Sequence, residues 1–400
     1  MLPRVMNGGV GGLRKAGLHL RSARKNLRRN SRAALGRVLA RLLGPRAQLA
    51  ALRPEEIASV LVCRVNGRMG NTLFLTPLLR QLHELLPHAA IDVAVSYAQA
   101  GELLAGFPGV RTVIAYPHRG PRLIFRYLAA VRRLRAQCYD LAIDPVPEST
   151  GGRVALTLCR SRYRLGFATD SQWAALTHAI AQPPGPLHQA VQPVILLCRA
   201  FDTPCDPRSL QLSLYLRPDE LEAGRRVVAT AAGRVSGVTH APSRLFGFFA
   251  HATALKTIER SWWLAFWHAF LELQPDALPL EFLPTERTVA TDPRFPTLHL
   301  PSTRALAAAM TATHAFISAD TGPMHLASST PVPTVALFQA SNPVVHGPLK
   351  PRDVAIDISA CTPQRVAQVC QRVWRESASQ AVDTARCGPP AIRAAAHHQR

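Results

Sequence analysis

One segment of the 400-residue chain combines side chains that could bind a phosphorylated ligand. Residues 318–327 (SADTGPMHLA) lie between two apolar runs, a layout typical of a strand, a tight polar turn and a helix. Asp320, Thr321 and Gly322 would start that helix, where free backbone N–H groups and the helix dipole favour an anion. His325 would lie one turn further on and face back toward the turn. The segment predicts a phosphate cradle beside a fixed carboxylate, suited to a nucleotide-sugar; an ordinary turn capped by Asp320 explains it equally well.

A second glycine-containing loop, residues 66–71 (NGRMGN), follows the first apolar run of the chain. It has neither the Gly-Lys-Ser/Thr of a P-loop nor the G-x-G-x-x-G pattern, so generic ATP and dinucleotide sites are not indicated. The loop offers flexible backbone at Gly70, a positive charge at Arg68 and a side-chain amide at Asn71. Asn71 could instead be the N-cap of a helix predicted over residues 72–85.

Three further side chains follow predicted strands in the second half of the chain. Thr253 and Lys256 supply a hydroxyl and an ammonium group suited to a diphosphate. Glu286 could accept hydrogen bonds from ribose hydroxyls, as a carboxylate does in dinucleotide-binding folds. Lys256 and Glu286 could equally be solvated surface residues, the usual fate of these types. The eight cysteines form no C-x-x-C pair, and no histidine cluster completes a zinc spacing, so we predict free thiols, no metal and no cofactor.

Strands alternate with helices in two stretches of the chain, which predicts an α/β protein with two Rossmann-like domains and parallel sheets. Ligands of such sheets bind at the carboxyl ends of the strands, so the two glycine-containing loops are expected to face each other across a cleft. The predicted organisation is a basic arm that is disordered or amphipathic (1–55), an amino-terminal Rossmann-like acceptor domain (56–185), an interdomain segment (186–240), a carboxy-terminal Rossmann-like nucleotide-sugar domain (241–362), a closing helix (363–376) and a disordered tail (377–400).

The net charge of +22 is concentrated at the amino terminus, where residues 1–50 hold twelve Lys and Arg and no acid. A strongly basic chain is drawn to polyanions. Part of the arm could form a helix that lies on an anionic membrane, and a disordered tail is an equal alternative. Nucleic acid is not predicted as a partner, because the arm lacks interleaved aromatic residues and no nucleic-acid motif follows it. With no apolar run of roughly 18 residues and no signal peptide, the chain is expected to be cytoplasmic.

The motifs, in their order and spacing, resemble glycosyltransferase family 9, the bacterial heptosyltransferases of lipopolysaccharide core assembly. Residues 320–327 are similar to the family's D-T-G-x-x-H-L-A signature, and residues 333–348 to the segment that follows it. Residues 76–79, 139–144 and 164–167 are similar to its amino-terminal half. The resemblance spans roughly residues 57–375.

The resemblance implies a GT-B fold and an inverting, metal-independent transfer from a nucleotide-sugar. The family's best-known donor is ADP-heptose, and its best-known acceptor is the lipid A–Kdo core glycan, which would place the enzyme peripherally on the cytoplasmic face of the inner membrane. Carried over, the donor would contact Thr253, Lys256, Glu286, Asp320, Thr321, Gly322 and His325. On the acceptor side we expect Arg68 and Gly70, and also Arg122 and Arg126 of a basic segment, for which a solvated helix face is the commoner explanation.

The chain departs from the family at Asn71, where an aspartate is the proposed catalytic base. An amide cannot accept a proton as a general base, and such help is typically worth about 10²–10⁴-fold in rate. Asp144, which could instead only cap its strand, and Asp320 are the other carboxylates to consider. The alternative hypothesis is a catalytically weakened homologue that binds a nucleotide-sugar or glycan.

Overall fold

A computed structural model describes residues 50–65, 67–117, 123–147, 149–168, 176–233 and 244–386. Two six-stranded parallel sheets form its framework. The strands of the first sheet are β1 (Ser59–Arg64), β2 (Ala90–Val95), β3 (Val110–Ala115), β4 (Cys138–Asp144), β5 (Arg160–Ala168) and β6 (His178–Ala181). Those of the second are β7 (Arg244–Phe249), β8 (Ala277–Phe282), β9 (Thr297–Leu298), β10 (Ala315–Ala319), β11 (Thr334–Phe338) and β12 (Val354–Asp357).

Twelve α-helices connect these strands in the described residues. Those of the amino-terminal half are α1 (Met69–Leu73), α2 (Thr76–Leu85), α3 (Ala100–Leu103), α4 (Leu123–Arg135), α5 (Thr150–Leu158) and α6 (Val191–Ala200). Those of the carboxy-terminal half are α7 (Pro218–Ala232), α8 (Arg260–Leu273), α9 (Thr303–Thr311), α10 (Gly322–Ser328), α11 (Pro343–His346) and α12 (Pro363–Arg386).

Both sheets have the same strand order. The first runs β3-β2-β1-β4-β5-β6, and the second runs β9-β8-β7-β10-β11-β12 when read in the same direction. In each sheet the order reverses beside the first strand, between β1 and β4 and between β7 and β10. This is the doubly wound arrangement in which ligands bind at the point of reversal. The predicted pair of Rossmann-like domains is therefore confirmed.

The central strands are apolar because helices cover both faces of each sheet. Val60 and Val62 of β1 pack with α2 and α6 on one face, while Leu61 and Cys63 pack with α4 and α5 on the other. In the second sheet, α8 and α12 cover one face, and α7, α9 and α10 cover the other.

The structure corrects several predicted elements. The single helix expected over residues 72–85 is two helices, because the chain breaks at Phe74 and Leu75 before Pro77, which has no N–H to donate. Asn71 lies inside α1, whose N-cap is Arg68, so the N-cap interpretation of Asn71 is wrong.

The segment expected to be interdomain, residues 186–240, contains two helices that pack on different sheets. Helix α6 lies in the core of the first domain, and α7, which was not predicted, lies against α9 of the second. A Cβ at Gly224 of α7 would come within 2.5 Å of the Ala308 backbone, so this glycine permits the close contact of the two helices.

The closing helix is longer than predicted, and the prediction for the basic arm is not tested by the described residues. Helix α12 continues to Arg386, ten residues beyond the end predicted for the closing helix, and packs along α8. The basic arm up to residue 49 and the last fourteen residues lie outside the described residues. Within the described part of the chain, no helix is both long and apolar enough to cross a membrane.

Candidate active site

The carboxylate of Asp320 is held at the carboxyl edge of the second sheet. Asp320 follows β10, its backbone N–H donates to the Leu337 carbonyl (3.1 Å), and its side chain is buried. Lys256 Nζ lies 2.6 Å from Asp320 Oδ2, and the Ser341 hydroxyl donates to the same oxygen. The other oxygen, Oδ1, faces His325 Nε2 at 4.0 Å. A buried carboxylate thus has one oxygen occupied by a cation and a hydroxyl, while the other oxygen faces the ring of a buried histidine.

Lys256 is positioned by a short, tethered loop. The loop after β7 contains a 3₁₀ turn, Ala254–Lys256, in which Ala254 has a left-handed backbone (φ 57°). The Gln339 side chain, just beyond β11, donates to the Leu255 and Thr257 carbonyls at 2.9 and 2.8 Å. These bonds fix the loop to the segment that follows β11, two strands away in the sheet. The ammonium group reaches Asp320, which lies between them after β10, while the Lys256 side chain stays 39% exposed and accessible to a ligand.

Two glycines bring the domains together at this point. Helix α1 of the first domain packs on α10 of the second. A Cβ at Gly70 would lie 2.6 Å from His325 Cδ2, and a Cβ at Gly322 would lie 3.3 Å from Met69 Cβ. The close approach at Gly70 leaves no space for a side chain. The two glycine-containing loops therefore face each other, as the arrangement of strand ends predicts.

A cluster of buried imidazoles lines this contact. The Phe74 ring packs edge-on against His325 (centroids 4.6 Å apart) and His188 (5.2 Å) and lies 6.4 Å from His346. Burial lowers the pKa of His325 to about 3, although Asp320 opposes that shift, and burial lowers the pKa of His188 to about 4. Both rings are therefore neutral near pH 7 and supply hydrogen-bonding groups rather than positive charge.

Asn71 contacts a buried arginine of the first sheet. Arg64, the last residue of β1, donates from Nη2 to Asn71 Oδ1 and to Gln189 Oε1, both at 3.3 Å. The arginine is 4% exposed, and its Nε has no hydrogen-bond partner among the described residues. Burial lowers the pKa of Arg64 to about 10 despite the attraction of Asp144, so the guanidinium stays charged at neutral pH.

Asp144, the last residue of β4, is the buried partner of a second arginine. Its Oδ2 lies 3.0 Å from Arg153 Nε, and neither side chain is accessible. A Cβ at Gly152 would lie 2.4 Å from Asp144 Oδ1, and one at Gly166 would lie 2.6 Å from Arg153 Nη1, so both glycines make room for this ion pair. Burial raises the pKa of Asp144 to about 7, against the opposing attraction of Arg153. Asp144 Oδ1 also accepts from the Val146 N–H just beyond β4 (3.4 Å), as a strand cap does, and the side chain is too enclosed to act on an acceptor.

The other predicted site residues are more dispersed. Thr253 is exposed at the start of the Lys256 loop, and Thr321 Oγ1 donates to the Ala319 carbonyl (3.2 Å). Glu286 is exposed beyond β8 and has no described contact with the Asp320 group. Arg68 is exposed at the start of α1. Burial lowers the pKa of His346, and the charges of Lys256 and Arg68 add to that shift. Arg126 is exposed on α4, and Arg122 lies outside the described residues.

Ser341 and Arg64 are among the components of the site that were not predicted. Ser341 comes to Asp320 from the loop after β11, and no local pattern distinguishes it from any other loop serine. Arg64 did carry a signal, because it is the one charged residue in the apolar run of residues 57–65 (IASVLVCRV). Among the described residues, no group of three or more His, Cys, Asp or Glu could hold a metal ion.

Comparison with known proteins agrees with this arrangement. Residues 295–373, which include the Asp320 turn and Ser341, match the sequence profile of glycosyltransferase family 9 (heptosyltransferase). No characterised protein sequence matches the chain significantly.

Solved structures show the same fold over most of the chain. A family 9 glycosyltransferase from Veillonella parvula superposes with a TM-score of 0.66 at 16% identity, covering 82% of this chain and 99% of that one. The ADP-heptose lipopolysaccharide heptosyltransferase II of Escherichia coli gives 0.61 at 18% identity, covering 80% and 99%. The E. coli heptosyltransferase WaaC with ADP gives 0.59 at 17%, covering 79% and 99%.

These findings confirm the GT-B fold and the resemblance to glycosyltransferase family 9. Both the profile match over residues 295–373 and the shared fold point to glycosyltransferases as the proteins that this chain resembles.

Proposed function

We propose that the chain transfers heptose, or a related sugar, from a nucleotide-sugar to the lipopolysaccharide core, with inversion and without a metal ion. The observation that carries the proposal is the buried Asp320 carboxylate paired with the accessible Lys256 ammonium, opposite α1 of the other domain. Two similar structures contain ADP and ADP-2-deoxy-2-fluoro heptose, which makes ADP-heptose the first donor to test.

Lys256 is suited to the diphosphate of the donor. Breaking the bond between the sugar and the diphosphate leaves negative charge on the departing oxygen, and a fixed cation stabilises charge that develops there. Asp320 and Ser341 hold the ammonium group in place through Asp320 Oδ2. Thr253 and the 320–322 turn lie on the same edge of the sheet and complete the proposed donor side.

The proton of the acceptor hydroxyl needs a base other than residue 71, because an amide does not accept it. Asp144 and Asp320 are both buried and paired, but the partner of Asp144, Arg153, is buried too, whereas the partner of Asp320, Lys256, is 39% exposed. Asp320 Oδ1 lies 4.0 Å from His325 Nε2, at the contact between the two domains. We therefore assign the acceptor proton to Asp320 Oδ1.

Helix α4 supports a peripheral position on the inner membrane. Three large apolar side chains of its first turns are exposed: Ile124 by 62%, Phe125 by 73% and Leu128 by 53%. Arg126 and the exposed Arg132, Arg133 and Arg135 flank them. Apolar residues among arginines suit the interface of an anionic bilayer. Flotation with vesicles containing anionic lipid should be reduced by Phe125→Ser, and not by Val289→Ser, which removes an equally exposed apolar side chain from the other domain.

A transfer assay tests the function directly. We expect the purified chain, ADP-heptose and a deacylated core glycan to give a product one sugar heavier by mass spectrometry, and ADP-heptose to be preferred over UDP-, GDP- and CMP-sugars. Lys256→Ala should lose most of the product. The proposal would be refuted if the donor were only hydrolysed, or if none of the donor and acceptor pairs reacted.

The second candidate is a weakened homologue that only binds nucleotide-sugar or glycan. The amide of Asn71 at the family's base position favours it. A large gain in transfer by Asn71→Asp would support a lost base and this second function. No gain would support a mechanism that runs through Asp320.

A further inference from the structure

We propose that a pocket beside Arg64 binds one anionic group, a carboxylate or a phosphate, of the acceptor glycan, and that Asn71 keeps Arg64 free to do so. This inference rests on the proposed function, because it names the chemistry of that enzyme's acceptor. The pocket encloses about 340 Å³ and is lined by Arg64, by residues 145–147 after β4 and by Gln182, Gln189 and Gln192.

The charges beneath the pocket do not balance. Arg64 and Arg153 are both buried, and Asp144 is the buried carboxylate between them. Asp144 makes its ion pair with Arg153 and reaches Arg64 only as a longer-range attraction. With Asp144 ionised, the three groups carry one excess positive charge, and Arg64 carries it at the wall of the cavity.

Arg64 meets only neutral partners among the described residues. Asn71 and Gln189 each offer an amide oxygen to Nη2, and Nε has no partner. A guanidinium has five N–H donors in a planar fork that matches a carboxylate or phosphate. A buried charge without a counter-ion is costly, and an anionic ligand with two oxygens on this fork removes the cost.

Asn71 decides whether Arg64 is available. Its Oδ1 lies 3.3 Å from Arg64 Nη2, so an aspartate there would place a carboxylate against the guanidinium and neutralise it within the protein. The asparagine leaves the positive charge for a ligand. Having asparagine rather than aspartate at position 71 thus removes a base from the cleft and leaves an anion-binding group beside it.

The remaining lining suits a sugar. Gln192 Nε2 donates to the Leu187 carbonyl (3.0 Å), and Gln189 presents its oxygen to Arg64, which orients both amides. Amides donate to and accept from hydroxyl groups, and the volume is in the range of small-ligand sites. One cation among neutral amides recognises a sugar with a single anionic group rather than a densely phosphorylated segment.

Calorimetric titration with small probes tests the pocket. The probes are glucuronate and glucose 1-phosphate, with methyl glucoside as the uncharged control, each added to the full chain saturated with ADP. We expect saturable binding of at least one anionic probe and none of methyl glucoside. The stronger of the two anions identifies the acceptor group as a carboxylate or a phosphate.

Variants separate the pocket from a general charge effect. Asn71→Asp should weaken anionic-probe binding at least tenfold, or about 1.4 kcal/mol, while raising the melting temperature, because it pairs a buried charge. Arg64→Gln should abolish probe binding. Arg199→Gln removes an exposed positive charge from α6, the helix of Gln192, and should leave binding unchanged.

The outcomes are distinguishable. No saturable binding of either anion, equal binding of methyl glucoside or undiminished binding by Asn71→Asp would overturn the inference, and the last result stands even if Arg64→Gln fails to fold. Titration of the same proteins with ADP tests the proposed function separately. Anionic probes bound by a chain that does not bind ADP would support the pocket and refute the proposed transferase.

Discussion

The two sheet edges that meet in the cleft share one topology and differ in how their buried charges are matched. At the edge of the second sheet, Asp320 is paired with Lys256 at 2.6 Å. At the edge of the first sheet, Arg64 meets amides at 3.3 Å, and an ion pair beneath it joins Asp144 to Arg153. One edge carries a balanced pair with an accessible cation, and the other carries a surplus cation.

The difference indicates how the same fold provides two kinds of binding edge. A paired ammonium is held in position and can interact with a diphosphate that arrives and leaves during the reaction. A surplus guanidinium in a pocket of amides is stabilised only when its anion is bound. On the two proposals made above, the donor would bind to the second domain and an anionic acceptor to the first.

Removing the ammonium group of Lys256 should have the largest effect on transfer activity of the variants considered. Lys256→Ala takes away the cation facing the leaving diphosphate, and we expect kcat to fall by about 10²–10³, the range for loss of one preorganised group that stabilises transition-state charge. Steady-state transfer assays measure it. Arg352→Ala, which removes an exposed positive charge from the same domain, is the control. A loss below threefold for Lys256→Ala would contradict the donor assignment.

The stability of the folded chain should depend on pH through the buried imidazoles at the contact between the two sheet edges. The pKa of His325 is about 3 in the folded chain, so the unfolded chain takes up its proton first as the pH falls below about 6.5. The free energy of unfolding should fall by up to about 1.4 kcal/mol per pH unit from this histidine between about pH 6 and pH 3.

Urea unfolding at several pH values, compared between the unmodified chain and His325→Asn, isolates this slope. The raised pKa of Asp144 acts in the opposite direction, stabilising the folded chain at low pH and losing that effect as the pH rises toward about 7. It is present in both proteins and cancels in the difference. His268→Asn, at an exposed position, is the control. If the free energy of unfolding depended on pH in the same way for His325→Asn and for the unmodified chain, His325 would not be the cause of the slope.

A single methyl group added where the two sheet edges meet should have a smaller effect, on the stability of the chain. Gly70→Ala places a Cβ 2.6 Å from His325 and should cost about 1–3 kcal/mol of stability, as overpacking does. Gly101→Ala in α3 meets nothing within 4 Å and is the matched control, expected to be neutral or stabilising. Equal melting temperatures for the two variants would mean that the two edges do not pack as closely as described.

Local patterns were sufficient to predict most of the fold. Apolar runs alternating with helical segments gave the central strands of both sheets, because buried parallel strands are continuously apolar. They were insufficient for α7, whose polar, proline-flanked sequence becomes a domain element only through its contact with α9. They also missed the break between α1 and α2, where Thr76 bonds to the Leu73 carbonyl and to Ser213 from a distant segment.

The candidate site was predictable where one segment held several of its groups. The turn at 320–322 and His325 belong to one strand-turn-helix unit, so their spacing was informative. Arg64, Gln189 and Ser341 are brought in from separate segments by sheet topology, and no spacing along the chain relates them. The contact of Arg64 with Gln189 and that of Ser341 with Asp320 exist only in the folded chain.

Calorimetric titration with ADP, beside UDP, GDP and CMP, tests the central claim most directly, using the unmodified chain, Lys256→Ala and Arg352→Ala. The account predicts that ADP binds most tightly, that Lys256→Ala weakens ADP at least tenfold, and that Arg352→Ala binds as the unmodified chain does. No binding of any nucleotide, or ADP binding unaffected by Lys256→Ala, would contradict a donor site at the Asp320 edge.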